Sequence, residues 1–117
     1  MKVTKYMVLV GAVLACPLFV GHAAAQNIDG STLFAECREG DDPSARDRLF
    51  KQGNCFGYIL VVTDALRPAE VFCLPSGATV GQIVDVAKLY LIEHPEDRKK
   101  LAPHLIVSAL AEKFPCN

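Results

Sequence analysis

Removal of an apparent N-terminal leader turns five cysteines into four, and that even number limits what the remainder can fold into more than any other feature. Lys2 and Lys5 form a charged opening, Tyr6 to Val20 form an apolar run, and Ala23-Ala24-Ala25 precede Gln26. A charged start, a short apolar core and small residues at the end make a secretory signal peptide, expected over residues 1–25 and cleaved after Ala25. A transmembrane anchor would need about 20 apolar residues, and this run is shorter. The rival reading is a lipoprotein, because Val13-Leu14-Ala15-Cys16 loosely resembles a lipobox. Against it, the apolar segment continues through Pro17-Leu18-Phe19-Val20, so Cys16 lies inside the core of the leader rather than at its end. Cys37, Cys55, Cys73 and Cys116 remain, an even set in a short exported chain, which reads as two disulfides.

The mature chain, residues 26–117, is long enough for one domain. A chain of roughly 90 residues buries only about 60–65% of the surface its unfolded form exposes, so its core alone is marginal and covalent staples are the expected remedy. Lys2 and Lys5 leave with the leader, so twelve cations against thirteen anions become ten against thirteen, a formal charge of −3. Apart from Arg98-Lys99-Lys100, which is expected on a solvated helix end, no basic run occurs. A nucleic-acid partner is disfavoured on that ground.

Four helices are expected. The first lies near Ser31–Cys37, with Leu33, Phe34 and Cys37 on one side. Glu39-Gly40-Asp41-Asp42-Pro43 is a loop by composition, and Pro43 after Asp42 is a good helix opening. A second helix is expected from the mid-forties to Leu66, loosened at Gly53, with Phe56–Val62 apolar on nearly all sides and therefore central and most buried. A strand is the rival for that run, but its length and the continuation Asp64-Ala65-Leu66 favour helix. Thr79 and Gln82 have the spacing of a capping box opening a third helix. Its stripe is Val80, Ile83, Val84, Ala87, Tyr90 and Leu91. Glu93-His94-Pro95 ends it, because the residue before a proline is pushed out of helical conformation. Pro95-Glu96-Asp97 opens a further turn, Pro103 restarts the chain, and Ile106, Val107, Leu110 and Phe114 form the last inward face. The fold class is all-α, a small disulfide-stapled bundle of about four helices.

Four cysteines allow three pairings, and helical hairpins select one. The first two helices bring Cys37 to Cys55, and the last two bring Cys73 to Cys116. In the chain-entropy account, closing loops of these sizes contributes about 3 and 4 kcal/mol.

Signals for chemistry are few. Zinc ribbons need close cysteine pairs, whereas successive cysteines here stand 18, 18 and 43 residues apart. His94 and His104 could act as bases, but an oxidised cysteine cannot attack, and two surface histidines near helix ends is the plainer reading. No G-x-S-x-G, H-E-x-x-H or glycine-rich phosphate loop occurs. Nothing argues for an enzyme or a cofactor. Asp64 sits where a helix dipole disfavours an anion, and Arg67 is placed to neutralise it. Leu89 and Ile92 fall off the main stripe of the third helix, beside Asp85, Lys88 and Glu93. They read either as a wider buried face or scattered surface residues, or as a contact patch for a partner protein or a second copy.

The string Phe72-Cys73-Leu74-Pro75-Ser76-Gly77-Ala78-Thr79-Val80-Gly81-Gln82-Ile83 resembles the hallmark of the Rap/Tai immunity family. The Glu-His-Pro-Glu turn, the apolar last helix and Phe114-Pro115-Cys116 resemble its ending. Cys37 and the segment Cys55-Phe56-Gly57-Tyr58-Ile59 before Asp64-Ala65-Leu66 fit the same pattern. The resemblance implies a periplasmic, helical, disulfide-bearing protein, often dimeric, that plugs the cleft of a type VI secretion effector, chiefly a cysteine-dependent peptidoglycan amidase. It transfers no contact residue. The alternative is a general envelope protein, such as a small chaperone or stress factor, without a cognate toxin.

Overall fold

A computed structural model describes residues 27–117, and the expectations about the leader and Cys16 lie outside the described residues. Asp29 opens the first helix: its Oδ1 accepts the Thr32 backbone N–H at 2.8 Å, satisfying one of the helix's free donors. That helix, α1, runs Gly30–Asp41, α2 runs Arg48–Leu66, α3 runs Val80–Glu93 and α4 runs Ala102–Lys113. Single 3-10 turns at Arg67–Ala69 and Pro95–Asp97 lead out of α2 and α3. Among the described residues no strand forms beyond one antiparallel bridge between Asp29 and Leu101. The protein is an all-α, four-helix, disulfide-stapled bundle.

α1 packs chiefly on α2 and α3 chiefly on α4, while α2 also touches both later helices. The two hairpins share one core, in which Leu33, Ile59, Val84, Ile106 and Leu110 are fully buried. Cys37 is joined to Cys55 within the first hairpin, and Cys73 to Cys116 around the second, each pair with its Cα atoms 4.9 Å apart. The capping box at α3 is complete: Thr79 Oγ1 accepts the Gln82 backbone N–H at 3.2 Å, and Gln82 Oε1 accepts that of Thr79 at 2.9 Å.

Several local expectations need correcting. α1 does not end at Cys37 but continues a full turn to Asp41. Gly40 lies against the backbone of Gln52, where a side chain would clash, and the Asp41 carboxylate forms an ion pair with Lys88, so tertiary contacts hold a turn that composition marks as loop. α2 does not open at Pro43. Asp42 caps a local turn instead, accepting from the backbone N–H and hydroxyl of Ser44 at 2.9 and 2.7 Å, and the helix starts only at Arg48.

α2 is continuous through Gly53, but it is not the most buried element. Only Cys55, Ile59 and Thr63 are buried, a single i, i+4 line, and Thr63 satisfies its hydroxyl by donating to the Ile59 carbonyl at 2.7 Å. Val61 is 69% exposed. The deepest helix is α4, which buries Ala102, Leu105, Ile106, Ala109 and Leu110. On α3, Ile83, Val84, Ala87 and Leu91 are buried as the stripe requires, but Val80, at the first position, is 52% exposed.

Arg98 also departs from expectation. Its guanidinium lies over the Phe34 ring, 3.6 Å from the centroid, while Nε donates to the Leu91 carbonyl at 2.7 Å. It thereby fills one of the acceptors left open at the end of α3 and ties that end to α1.

Candidate functional site

Side chains with chemical capacity are mostly committed to structure. All four described cysteines are oxidised. His94 stacks on Tyr90 with ring centroids 4.1 Å apart, and its Nδ1 lies 3.4 Å from Glu96 Oε1. His94, Glu96 and Asp97 place ligand-type atoms within 4.8 Å of one another. Asp97, however, is held by Lys100 at 2.7 Å, which keeps its carboxyl below the usual range and raises the lysine. His104 is exposed on the first turn of α4. Asp64 and Arg67 pair at 3.3 Å on the surface, the plain neutralisation that their spacing suggests.

The surface offers contact rather than chemistry. Leu89 and Ile92 are 53% and 57% exposed, so they do not belong to a wider buried face. Three residues apart on α3, they are neighbours on its solvent face, and each edges a different groove. Leu89 borders a groove of about 190 Å³ between α3 and α4, whose rim carries Glu93, Glu112 and Lys113. Ile92 borders one of about 230 Å³ toward α1, with Phe34, Arg38 and Asp41. Lys88 belongs to the Ile92 side and is engaged by Asp41, whereas Asp85 is exposed one turn before Leu89.

A third surface escaped the sequence reading. Phe50, Gly53, Gly57 and Val61 recur along the side of α2 opposite Cys55, Ile59 and Thr63, and all four are exposed. Gly53 and Gly57 have open space where a side chain would be. With Ile28, Thr32 and Tyr58 they line a mostly apolar groove of about 550 Å³ between α1 and α2. Burial pushes the Tyr58 phenol above its ordinary range, opposed by a hydrogen bond with the Ile28 backbone. At the rim, Glu36 accepts from Lys51 at 3.0 Å and from Asn54 at 3.2 Å, and this pairing holds the Lys51 ammonium above its usual value. The signal was legible in principle: the 3- and 4-residue spacing of Phe50, Gly53, Gly57 and Val61 marks a face, but a helix that is apolar all round reads as buried.

Among the described residues no helix is long and apolar enough to cross a membrane. The family model described as Rap1a immunity proteins matches residues 29–116, from the cap of α1 to the last cysteine. No curated relative and no solved structure matches the chain. A match over the entire bundle, including both disulfides and the capping box, places the chain in the family of Rap1a immunity proteins.

Proposed function

We propose that the mature protein acts in the periplasm, after cleavage at Ala25, as a stoichiometric inhibitor that occludes the cleft of a peptidoglycan amidase delivered by type VI secretion. The observation that carries this reading is membership of an immunity-protein family across the whole bundle, since an immunity protein acts on a secreted effector. The physical form supports it. A bundle closed by two disulfides loses little conformational freedom on docking, so less of the contact energy of its exposed apolar side chains is spent on ordering the chain. Leu89 and Ile92 stand out from the polar rim around them, as anchors of a contact centre do. Pairing of two copies through part of the same surface belongs to the same proposal.

The test is a titration of the purified oxidised protein against the secreted cell-wall hydrolases of its own organism. One of them should lose its activity at equimolar ratio. Leu89→Asp or Ile92→Asp should weaken that inhibition, or self-association, by more than about tenfold with helix content unchanged, because a charge forced into a contact centre goes unpaired. If no native hydrolase is inhibited by the unmodified protein, the reading fails and a general envelope role replaces it.

A further inference from the structure

The two disulfides occupy opposite environments. Cys37 and Cys55 are 4% and 1% exposed, inside the cluster that contains Leu33 and Ile59. Cys73 and Cys116 are both exposed, and they join the connector before α3 to the end of the chain. Thiol–disulfide exchange requires a thiolate to reach one sulfur of the bridge, so access sets the rate when the attacking thiol is the same. Attack on the buried bridge has to wait for the first hairpin to open, whereas the exposed one is reachable in the folded state.

A second observation concerns what the exposed bridge restrains. Glu70, three residues before Cys73, has φ 53° and ψ 30°, and it is the one non-glycine among the described residues with positive φ. Side chains other than glycine seldom adopt that left-handed conformation, and a glutamate has no local hydrogen bond of the asparagine kind to favour it. Its carbonyl oxygen lies 3.4 Å from Cys116 Sγ, a packing contact, since a disulfide sulfur has no proton to donate. The bridge thus lies in contact with a turn held in an uncommon conformation.

The surroundings also keep the two cysteines together once the bond is gone. Phe72 is 2% exposed and anchors the connector in the core. The Cys73 backbone N–H donates to the Phe114 carbonyl at 2.8 Å, and Phe114 packs against the same core. These contacts do not depend on the sulfur–sulfur bond.

We propose that Cys73–Cys116 is a reversible thiol–disulfide exchange site on the folded protein, with a small thiol as its reductant, while Cys37–Cys55 stays oxidised. In the first step a thiolate bonds to one of the two sulfurs, the bridge breaks, and the departing cysteine leaves as a thiolate that takes up a proton. In the second, another thiol of the reductant attacks the mixed disulfide and frees the other cysteine. The reductant leaves as its own disulfide, having given two electrons and two protons. Opening loosens the turn at Glu70 and the chain end beyond Phe114, while Phe72 and the Cys73–Phe114 hydrogen bond keep the connector seated and the four helices stay in place. The proposal stands apart from the immunity reading, because it rests on accessibility and backbone conformation alone.

The experiment uses the purified, fully oxidised protein in dithiothreitol without denaturant, with timed iodoacetamide quenching and peptide mass mapping. Cys73 and Cys116 should become alkylated at least about tenfold faster than Cys37 and Cys55, with the far-ultraviolet circular dichroism retained. Replacing the reductant with oxidised glutathione should restore the same bridge. Cleavage by a glutamate-specific protease at Glu70 should rise several-fold in the half-reduced form, because the turn that touches the bridge is loosened. Simultaneous loss of both bridges, or earlier loss of Cys37–Cys55, overturns the proposal. Unchanged cleavage at Glu70 overturns the loosening of that turn. The Cys73→Ser/Cys116→Ser variant provides a further check: it should fold and consume no dithiothreitol on that timescale, and rapid consumption would contradict the assignment. If the variant does not fold, the alkylation order in the unmodified protein still decides.

Discussion

Gly30 and Gly57 are the same residue in opposite surroundings. At Gly30 an added methyl would overlap the Leu105 side chain and come within 2.9 Å of the Arg98 backbone. That close approach lets Gly30 and Ser31 donate to the Lys100 and Arg98 carbonyls, both at 2.9 Å, which fastens the start of α1 to the lead-in of α4. Gly57 has nothing within 4 Å. Gly30→Ala should therefore destabilise by about 1–3 kcal/mol through overpacking, while Gly57→Ala should stabilise by about 0.5–1 kcal/mol through helix propensity, both read by urea unfolding. Asp29 supplies a second test at this scale. Its carboxyl is held below the ordinary range chiefly by the Thr32 backbone N–H. A depressed carboxyl contributes stability that is complete above its unfolded pKa, near 4, and is lost as pH falls through the lower folded value. Asn caps a helix about as well as Asp but does not titrate. Asp29→Asn should accordingly match the unmodified protein at pH 7 and lose stability less steeply below about pH 4, in unfolding curves taken across that range. Asp42, held low by Ser44, and Asp97, held low by Lys100, should preserve the remaining slope.

The elements were legible in the chain to different degrees, and the differences have physical causes. α3 carries its own start signal in Thr79 and Gln82 and its own stop in His94-Pro95, so a local reading finds both ends. The end of α1 is decided elsewhere, by Gly40 against Gln52 and by Asp41 with Lys88. The carbonyls at the end of α3 are met by Arg98, which the sequence shows only as the first member of a basic run. Its Nε and Nη2 reach the Leu91 and Ile92 carbonyls at 2.7 and 3.4 Å while its plane covers Phe34. Lysine keeps the charge but not the planar fork or the stacking. Arg98→Lys should then cost about 1–3 kcal/mol in denaturant unfolding, far more than expected for a lysine-for-arginine change at a solvated helix end.

For the molecule as a whole, the balance between a small core and two staples governs stability. Cys37→Ala/Cys55→Ala should cost about 2–5 kcal/mol, because it frees an internal loop of the unfolded chain and leaves space in the core. Calorimetry on the double variant checks this. The helical class, the even cysteine set, the cap of α3 and the pairing that helical hairpins impose can be read along the chain, because each depends on near neighbours or on simple spacing. The sequence also carried the family resemblance, in the string around Cys73 and Gly77. Only the tertiary structure decided which side of an evenly apolar helix is covered. α2 shows the core one line, Cys55, Ile59 and Thr63, and shows solvent Phe50, Gly57 and Val61. It likewise sent Leu89 and Ile92 to different grooves and placed one disulfide inside and one outside. The physical reason is common to all three: burial is a property of what packs against a residue, and periodicity records a face without recording whether anything lies against it.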